Sequence, residues 1–177
     1  MNHCSITPPH STLITGGVRS GKSSYALSLA ANARNPYFIA TGWATDVEMA
    51  DRIRRHQADR GEHWQLIETL TDLPGAIKQA EKCGADFILI DCLTLWTSNI
   101  FLEGEEKLPE MTRNLANAVR QCSIPMALVT NEVGSGIVPD NKLARRYRDA
   151  AGFVNRSIAD AADALVMVIC GQPLRIK

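Results

Sequence analysis

The feature that most constrains this chain is a glycine-rich octapeptide between an apolar segment and a helix-forming one. It matches the pattern GxxxxGK[ST] at every fixed position, with Gly16, Gly21, Lys22 and Ser23. Residues 12–15 before it favour a buried strand, and residues 22–33 after it favour a helix. Backbone N–H groups and a helix N-terminus at such a junction face an anion. The octapeptide therefore predicts a phosphate-binding loop, and an ordinary strand-to-helix turn is the alternative.

A loop of this kind predicts contacts to a nucleoside triphosphate and to its metal. Lys22 is expected to reach the β- and γ-phosphates, and the Ser23 hydroxyl to ligate Mg²⁺. Asp91 ends the apolar run 87–90, so it is the predicted acidic metal ligand on a neighbouring strand, unless it only caps the next turn. All eight loop residues are predicted to contact the nucleotide: Gly16, Gly17, Val18, Arg19, Ser20, Gly21, Lys22 and Ser23.

Apolar runs and helix-like segments alternate along the whole chain. We predict strands at 12–15, 36–41, 64–68, 87–91, 125–130 and 165–169, with a short edge at 173–177. Helices are predicted at 22–33, 45–60, 73–83, 108–122 and 140–161, and Gly104–Pro109 is predicted to be a solvated loop. Continuously apolar strands that alternate with helices are typical of an α/β fold with a mostly parallel sheet and helices on both faces. We expect one domain over 12–177, preceded by a flexible tail, 1–11.

Composition limits which classes of partner and which cellular compartment are expected for this chain. Nineteen basic residues balance nineteen acidic ones in 177, which argues against nucleic acid or a membrane surface as a partner. No apolar run approaches the ~18 residues of a membrane span, and residues 1–11 lack the apolar core of a signal peptide. The five cysteines form no CxxC pair, which disfavours a disulfide framework or a zinc site. A cytoplasmic protein without a membrane span is expected.

A histidine among arginines is the second candidate for chemistry. On the predicted helix 45–60, Arg52 and Arg60 lie four residues to either side of His56 and share its face. Neighbouring cations favour neutral imidazole, which can attack a nucleotide phosphorus. Alternatively the arginines are solvated or salt-bridged and His56 is a surface residue, and the spacing alone leaves both interpretations open. Cys92 is a weaker nucleophile candidate, because the adjacent Asp91 carboxylate would raise its pKa.

Four segments in order give the chain a specific resemblance. They are Thr15–Ser23, Glu48–His56 with Arg60, Trp64 and Glu68 after it, Val129–Pro139, and Leu143–Asn155 with the Ala159–Asp163 run. From Thr12 to Lys177 the chain resembles the bifunctional adenosylcobinamide kinase/adenosylcobinamide-phosphate guanylyltransferase family of cobalamin biosynthesis. It departs slightly, since Gly61 stands where a proline often follows the matched arginine, and the first ten residues are extra.

The resemblance implies two reactions. A nucleoside triphosphate phosphorylates the aminopropanol hydroxyl of adenosylcobinamide, and GMP is then transferred from GTP to that phosphate, giving adenosylcobinamide-GDP. His56 matches the histidine that carries GMP covalently, so His56 and Lys22 are the catalytic candidates. The resemblance also implies Mg²⁺, GTP and ATP as substrates, a corrinoid small molecule and a homotrimer. Further nucleotide contacts that it implies are Thr41, Gly42, Trp43, Gln57, Ala58, Asp59, Arg60, Glu68 and Asp91.

Several alternatives stay open at this stage. A small-molecule kinase without nucleotidyl transfer, or a nucleotide-binding switch, would not need His56 within an arginine cluster. Neither the preferred kinase donor, ATP or GTP, nor retention of the kinase step is fixed by the sequence. Asn131 and Glu132 follow a strand end, where α/β sheets bind ligands, and they contact nucleotide or corrinoid or else cap a turn. Three arginines serve a neighbouring subunit's site or form a solvated helix face: Arg145, Arg146 and Arg148.

Overall fold

Seven strands and five α-helices make up the part of the chain that the computed structural model describes, residues 9–42 and 63–177. The strands are β1 Ser11–Thr15, β2 Pro36–Ala40, β3 Gln65–Glu68, β4 Phe87–Asp91, β5 Met126–Val129, β6 Ala164–Ile169 and β7 Gln172–Arg175. The helices are α1 Lys22–Leu29, α2 Leu73–Lys82, α3 Leu93–Glu103, α4 Leu108–Gln121 and α5 Lys142–Ala161, with a short 3-10 turn at Glu105–Lys107. The predicted helix 45–60 and most of the predicted tail lie outside these described residues.

All seven strands form one sheet in the order β3-β2-β4-β5-β1-β6-β7. The first six strands of that order run parallel, and only β7 pairs antiparallel, with β6. The predicted, mostly parallel sheet is therefore confirmed, and the predicted C-terminal edge is β7. Because parallel strands end at the same edge, the carboxyl ends of β1, β4, β5 and β6 lie on one side of the sheet.

Both faces of the sheet are covered, as the apolar strands predicted. Along β4, Ile88 and Ile90 pack into one buried cluster and Phe87 and Leu89 into the other, because successive side chains of a strand point to opposite faces. The first cluster contains apolar side chains of α2, α3, α4 and α5. The second contains Ala26 of α1. Each face thus removes apolar surface from water, the main driving force for folding.

One helix was missed and one predicted loop was wrong. Residues 93–103 form α3, whose buried residues are Leu93, Trp96, Thr97, Ile100 and Phe101. These buried positions recur at helical spacing, but the opposite face carries Leu95 and the 74% exposed Leu102 and has no charged residue before Glu103. The sequence therefore shows too little contrast between the two faces to mark an amphipathic helix. In place of the predicted solvated loop Gly104–Pro109, the chain forms the 3-10 turn and then begins α4 at the buried Leu108.

Local signals explain where α5 begins. The Asn141 side chain accepts hydrogen bonds from the backbone N–H groups of Leu143 at 2.8 Å and Ala144 at 3.3 Å. Asparagine is a favoured N-cap because it satisfies backbone donors of the first turn in this way. The helix starts at Lys142 rather than at the predicted residue 140. Among the described residues, no helix combines the length and the apolar character that crossing a bilayer requires.

Candidate active site

The predicted phosphate-binding loop connects β1 to α1 at the carboxyl edge of the sheet. Gly16 has a φ of 145°, and a Cβ built there would lie 2.4 Å from the carbonyl oxygen of Val168 in β6. No side chain fits at that distance. Gly21, with a φ of 100°, is the N-cap of α1. The motif glycines therefore occupy positions where the backbone conformation or the neighbouring strand excludes other residues.

Lys22 is the first residue of α1 and reaches back across the loop. Its side chain is 7% exposed, and its Nζ donates a 2.6 Å hydrogen bond to the Gly17 carbonyl oxygen. Burial lowers the pKa of Lys22, and the nearby Asp91 carboxylate partly opposes that shift. The ammonium group is thus held inside the loop, where a bound phosphate would exchange the Gly17 contact for its own oxygens.

Ser23 and Asp91 lie together at the start of α1. The Ser23 hydroxyl donates a 3.1 Å hydrogen bond to Oδ2 of Asp91, the last residue of β4. A hydroxyl and a carboxylate are oxygen donors of the kind that Mg²⁺ uses, usually as one or two protein ligands completed by phosphate oxygens and water. No group of three or more His, Cys, Asp or Glu suited to a metal occurs in residues 9–42 and 63–177. The donor set therefore fits a magnesium ion that arrives with a nucleotide.

Thr41 joins the carboxyl end of β2 to the start of α3. Its buried hydroxyl donates to the Cys92 carbonyl oxygen at 2.7 Å and accepts from the Cys92 N–H at 2.9 Å. Asn99, on α3, donates to the Thr41 carbonyl oxygen at 3.0 Å. A Cβ on Gly42 would lie 3.1 Å from Cδ1 of Leu95. The Thr41 hydroxyl therefore uses its donor and an acceptor site for the backbone of Cys92, the residue that follows Asp91.

Cys92 does not have the properties of a nucleophile. Burial, and then the neighbouring Asp91 carboxylate, raise the pKa of Cys92 to about 12. The thiol stays protonated at neutral pH, whereas nucleophilic attack requires the thiolate. The prediction that the adjacent carboxylate raises this pKa is confirmed, and burial contributes more.

A hydrogen-bonded cluster lies beyond β5, and the sequence predicted only part of it. Thr130 donates to Oδ1 of Asn155 at 2.7 Å, and Nδ2 of Asn155 donates to the Asn131 carbonyl oxygen at 3.1 Å. The Asn131 N–H donates to Oγ1 of Thr94 at 2.9 Å. Asn131 was a candidate because it follows an apolar strand. Thr94 and Asn155 come from helices, and no local pattern marks them.

The three arginines left open by the sequence all bond within this chain. Arg145 donates to the Pro139 and Asp140 carbonyl oxygens at 3.0 and 2.6 Å. Arg146 forms an ion pair with Glu105, and Arg148 donates to the Gly134 carbonyl oxygen. The Arg145 and Arg148 contacts hold the segment between β5 and α5 against α5, and the Arg146 pair joins α5 to the 3-10 turn before α4.

The structure brings most of the described candidates to one edge. The loop Gly16–Ser23 follows β1, Thr41 and Gly42 follow β2, and Glu68 and Asp91 end β3 and β4. Glu68 is exposed and lies two strands from Asp91, with β2 between them. Six predicted site residues lie outside the described residues: Trp43, His56, Gln57, Ala58, Asp59 and Arg60.

Solved structures with a similar fold include one described as an ATPase. A KaiC-like protein from Pyrococcus horikoshii OT3 aligns with 90% of this chain and 71% of its own, with a TM-score of 0.53 and 15% identity. A type III secretion system ATPase from pathogenic bacteria aligns with 89% of this chain and 50% of its own, with a TM-score of 0.56 and 15% identity. At such identities these likenesses describe the fold alone.

Sequence relatives identify the family. The bifunctional adenosylcobalamin biosynthesis protein CobU of Salmonella typhimurium LT2 is 40% identical, over 93% of this chain and 98% of that relative. The corresponding protein CobP of Pseudomonas aeruginosa PAO1 is 36% identical, over 93% of this chain and 96% of that relative. A profile described as "Cobinamide kinase / cobinamide phosphate guanyltransferase" matches residues 12–176. The chain therefore belongs to the cobinamide kinase/cobinamide phosphate guanyltransferase family.

Proposed function

We propose that this chain catalyses both reactions in its family's description, with adenosylcobinamide and its phosphate as the corrinoid substrates. The observation that carries the proposal is the meeting of Lys22, Ser23 and Asp91 within a phosphate-binding loop. That arrangement has the parts that phosphoryl transfer needs: a cation for the phosphates and oxygen ligands for their metal. It lies in a chain whose family membership covers residues 12–176.

The kinase reaction places a phosphoryl group on an alcohol. The aminopropanol hydroxyl oxygen attacks the γ-phosphorus of ATP or GTP, the bond from that phosphorus to the bridging oxygen breaks, and the nucleoside diphosphate leaves. The hydroxyl proton passes to solvent. Lys22 stabilises the negative charge on the transferring group. Ser23 and Asp91 would hold a Mg²⁺ ion, which neutralises phosphate charge when bound.

The guanylyl transfer needs a nucleophile on the protein, and we assign it to His56. The neutral imidazole nitrogen attacks the α-phosphorus of GTP, pyrophosphate leaves, and a phosphoramidate forms. A phosphate oxygen of adenosylcobinamide phosphate then attacks the same phosphorus, and the histidine leaves. His56 lies outside the described residues, so its role rests on the spacing of Arg52, His56 and Arg60 and on the family resemblance.

The remaining nucleotide contacts and the assembly belong to the same proposal. The guanine nucleotide is held by the phosphate loop, by one group of residues after β2, by another around His56, and by the acidic residues that end β3 and β4. The working form is a cytoplasmic homotrimer that binds small molecules. The proposed contacts beyond the loop are Thr41, Gly42, Trp43, Gln57, Ala58, Asp59, Arg60, Glu68 and Asp91.

A direct assay follows the corrinoid products by chromatography. Purified protein incubated with adenosylcobinamide, ATP, GTP and Mg²⁺ should form adenosylcobinamide phosphate and then its GDP derivative. Lys22→Ala should slow both reactions by ~10²–10³, the usual cost of one lost donor to a developing oxyanion. Lys82→Ala, at an exposed lysine in the last turn of α2, is the matched control and should keep full activity. Folded protein that binds GTP but forms neither product would refute the proposed function.

A further inference from the structure

The two strands beside β1 each lead to a backbone amide that bonds the phosphate loop. Past β5, the Glu132 N–H donates to the Gly16 carbonyl oxygen at 3.1 Å. In the turn between β6 and β7, the Gly171 N–H donates to the Ser20 carbonyl oxygen at 2.8 Å. The loop is thus bonded at its beginning by one neighbour of β1 and near its end by the other.

These bonds orient the peptide groups that bind anions. A trans peptide is planar, so its C=O and N–H point in opposite directions. Because the Ser20 carbonyl points at Gly171, the next N–H, that of Gly21, points away from the β6–β7 turn. By the same geometry, the Gly17 N–H points away from Glu132. Backbone N–H groups of such a loop are its phosphate donors, so the direction of each peptide plane bears on affinity.

The phosphate loop also packs closely against the backbone of β6 and of the β6–β7 turn. The Cβ position of Gly16 is 2.4 Å from the Val168 carbonyl oxygen, and that of Gly21 is 3.2 Å from the Gly171 Cα. Both neighbours are backbone atoms, which cannot move aside by changing a rotamer. The loop therefore keeps its shape only while β6 and the following turn keep theirs.

The geometry of the β6–β7 hairpin places the Gly171 N–H against the phosphate loop. Cys170 and Gly171 are its two turn residues, with φ values of 49° and 81°, the pair of positive φ angles that a tight hairpin turn requires. Ile169 pairs with Gln172 across the turn. All four residues of β7 are exposed, whereas Val166 and Val168 of β6 are buried, so β7 itself contributes little to the core. The turn contacts the phosphate loop at Ser20, through the Gly171 N–H, and packs against Gly21.

We propose that the β6–β7 turn is a positioning element for nucleotide binding, with Gly171 as the positioning residue. Its N–H holds the Ser20–Gly21 peptide in the direction that lets the loop bind phosphate. The effect is common to both reactions, since one loop serves both, and in that respect it rests on the proposed function. The role assigned to Gly171 is exerted through its contacts with Ser20 and Gly21 of the loop.

The chain offers a matched pair of glycines for the test. Gly171 and Gly84 have φ values of 81° and 75°, and a Cβ at either would meet no heavy atom within 4 Å. Gly84 lies between α2 and β4, at the opposite edge of the sheet from the loop. Alanine at either position adds the same kind of backbone strain, but only Gly171→Ala strains the bond to Ser20.

The first readout is GTP affinity, measured by equilibrium titration without corrinoid. Gly171→Ala should bind GTP about fivefold more weakly, the equivalent of one hydrogen bond, and Gly84→Ala should match the parent protein. The thermal midpoints of the two nucleotide-free variants should fall alike. In the enzyme assays, Gly171→Ala should raise the nucleotide KM of both reactions by the same factor and leave kcat at saturating nucleotide nearly unchanged. Equal GTP affinities of the two variants would overturn the proposal.

A backbone substitution removes the donor without adding strain. Because residue 170 is a cysteine, a synthetic peptide covering 170–177 can be ligated to residues 1–169 without changing any residue of 1–177. Replacing the amide between Cys170 and Gly171 by an ester deletes the Gly171 N–H, keeps the side chains unchanged and weakens the Cys170 carbonyl as an acceptor. The ester chain should bind GTP about fivefold more weakly than the ligated all-amide chain, and equal affinity would contradict the proposal. Both tests measure binding directly, so they remain decisive even if no corrinoid product forms and the proposed function fails.

Discussion

The Ser23 hydroxyl donates a 3.1 Å hydrogen bond to Oδ2 of Asp91 and so joins the first turn of α1 to the carboxyl end of β4. The two residues are 68 positions apart in the chain. In the sheet, β5 lies between β4, which ends at Asp91, and β1, which leads through the phosphate loop to Ser23. Only the parallel arrangement of the sheet brings them together. In the proposed function, their two oxygen atoms would be the ligands that the protein supplies to a magnesium ion bound with the nucleotide.

Asp91→Asn should raise the Mg²⁺ concentration needed for half-maximal rate in both reactions. Asparagine keeps an oxygen that can accept from Ser23, but it removes the negative charge that attracts the cation. A magnesium titration of each reaction measures the shift. Asp72→Asn is the matched control, because asparagine caps a helix as well as aspartate does and Asp72 caps α2. Superimposable titrations of Asp91→Asn and the parent protein would exclude Asp91 from the metal site.

Thiol alkylation tests the conclusion that Cys92 is not a nucleophile. Burial raises the pKa of Cys92 to about 12 and that of Cys122 to about 11, from 9.0. Iodoacetamide at pH 8 should therefore modify the exposed Cys83 and Cys170 in the folded protein and spare both buried thiols. Mass spectrometry of peptides locates the label. Modification of Cys92 at the rate of Cys83 would contradict the assignment.

The same pKa values fix the sign of an alkaline effect on stability. The unfolded chain releases the Cys92 proton near pH 9.0, whereas the folded chain holds it to about 12. Above pH 9 the unfolded state therefore binds fewer protons at this site, and the free energy of unfolding falls as the pH rises. Cys92→Ser would not show this contribution, and denaturant titrations from pH 8 to 11 compare the two proteins.

The sequence predicted the parts of the site that are local in the chain. The phosphate loop and Asp91 are marked by residue type and by the strands beside them. The partners of Thr130 are not, because Thr94 and Asn155 reach it from two helices. Helix α3 was missed because the face opposite its buried residues carries Leu95 and Leu102, which weakens the contrast that marks a helical period in the sequence. The contact of Gly171 with Ser20 joins backbone atoms, which no side-chain pattern records.

His56→Asn should separate the two reactions. Direct transfer of a γ-phosphate to a hydroxyl needs no covalent enzyme intermediate, whereas the proposed GMP transfer needs the imidazole. Adenosylcobinamide phosphate should therefore accumulate with the variant, and its GDP derivative should not form. Chromatography with both nucleotides present follows the two products. Loss of both products from a folded variant that still binds GTP would show that the reactions share His56.

The central claim is that one site phosphorylates the corrinoid and also transfers GMP through His56, and parallel incubations with α-labelled and γ-labelled GTP test it most directly. After denaturation, the α-label should remain on the parent protein in an acid-labile bond and should be absent from His56→Asn. When adenosylcobinamide phosphate is added before denaturation, the α-label should pass from the protein to the corrinoid. The γ-label should appear in the corrinoid when adenosylcobinamide is the substrate and never remain on the protein. An α-label held by another residue, or no α-label on the protein while adenosylcobinamide-GDP still forms, would contradict the account.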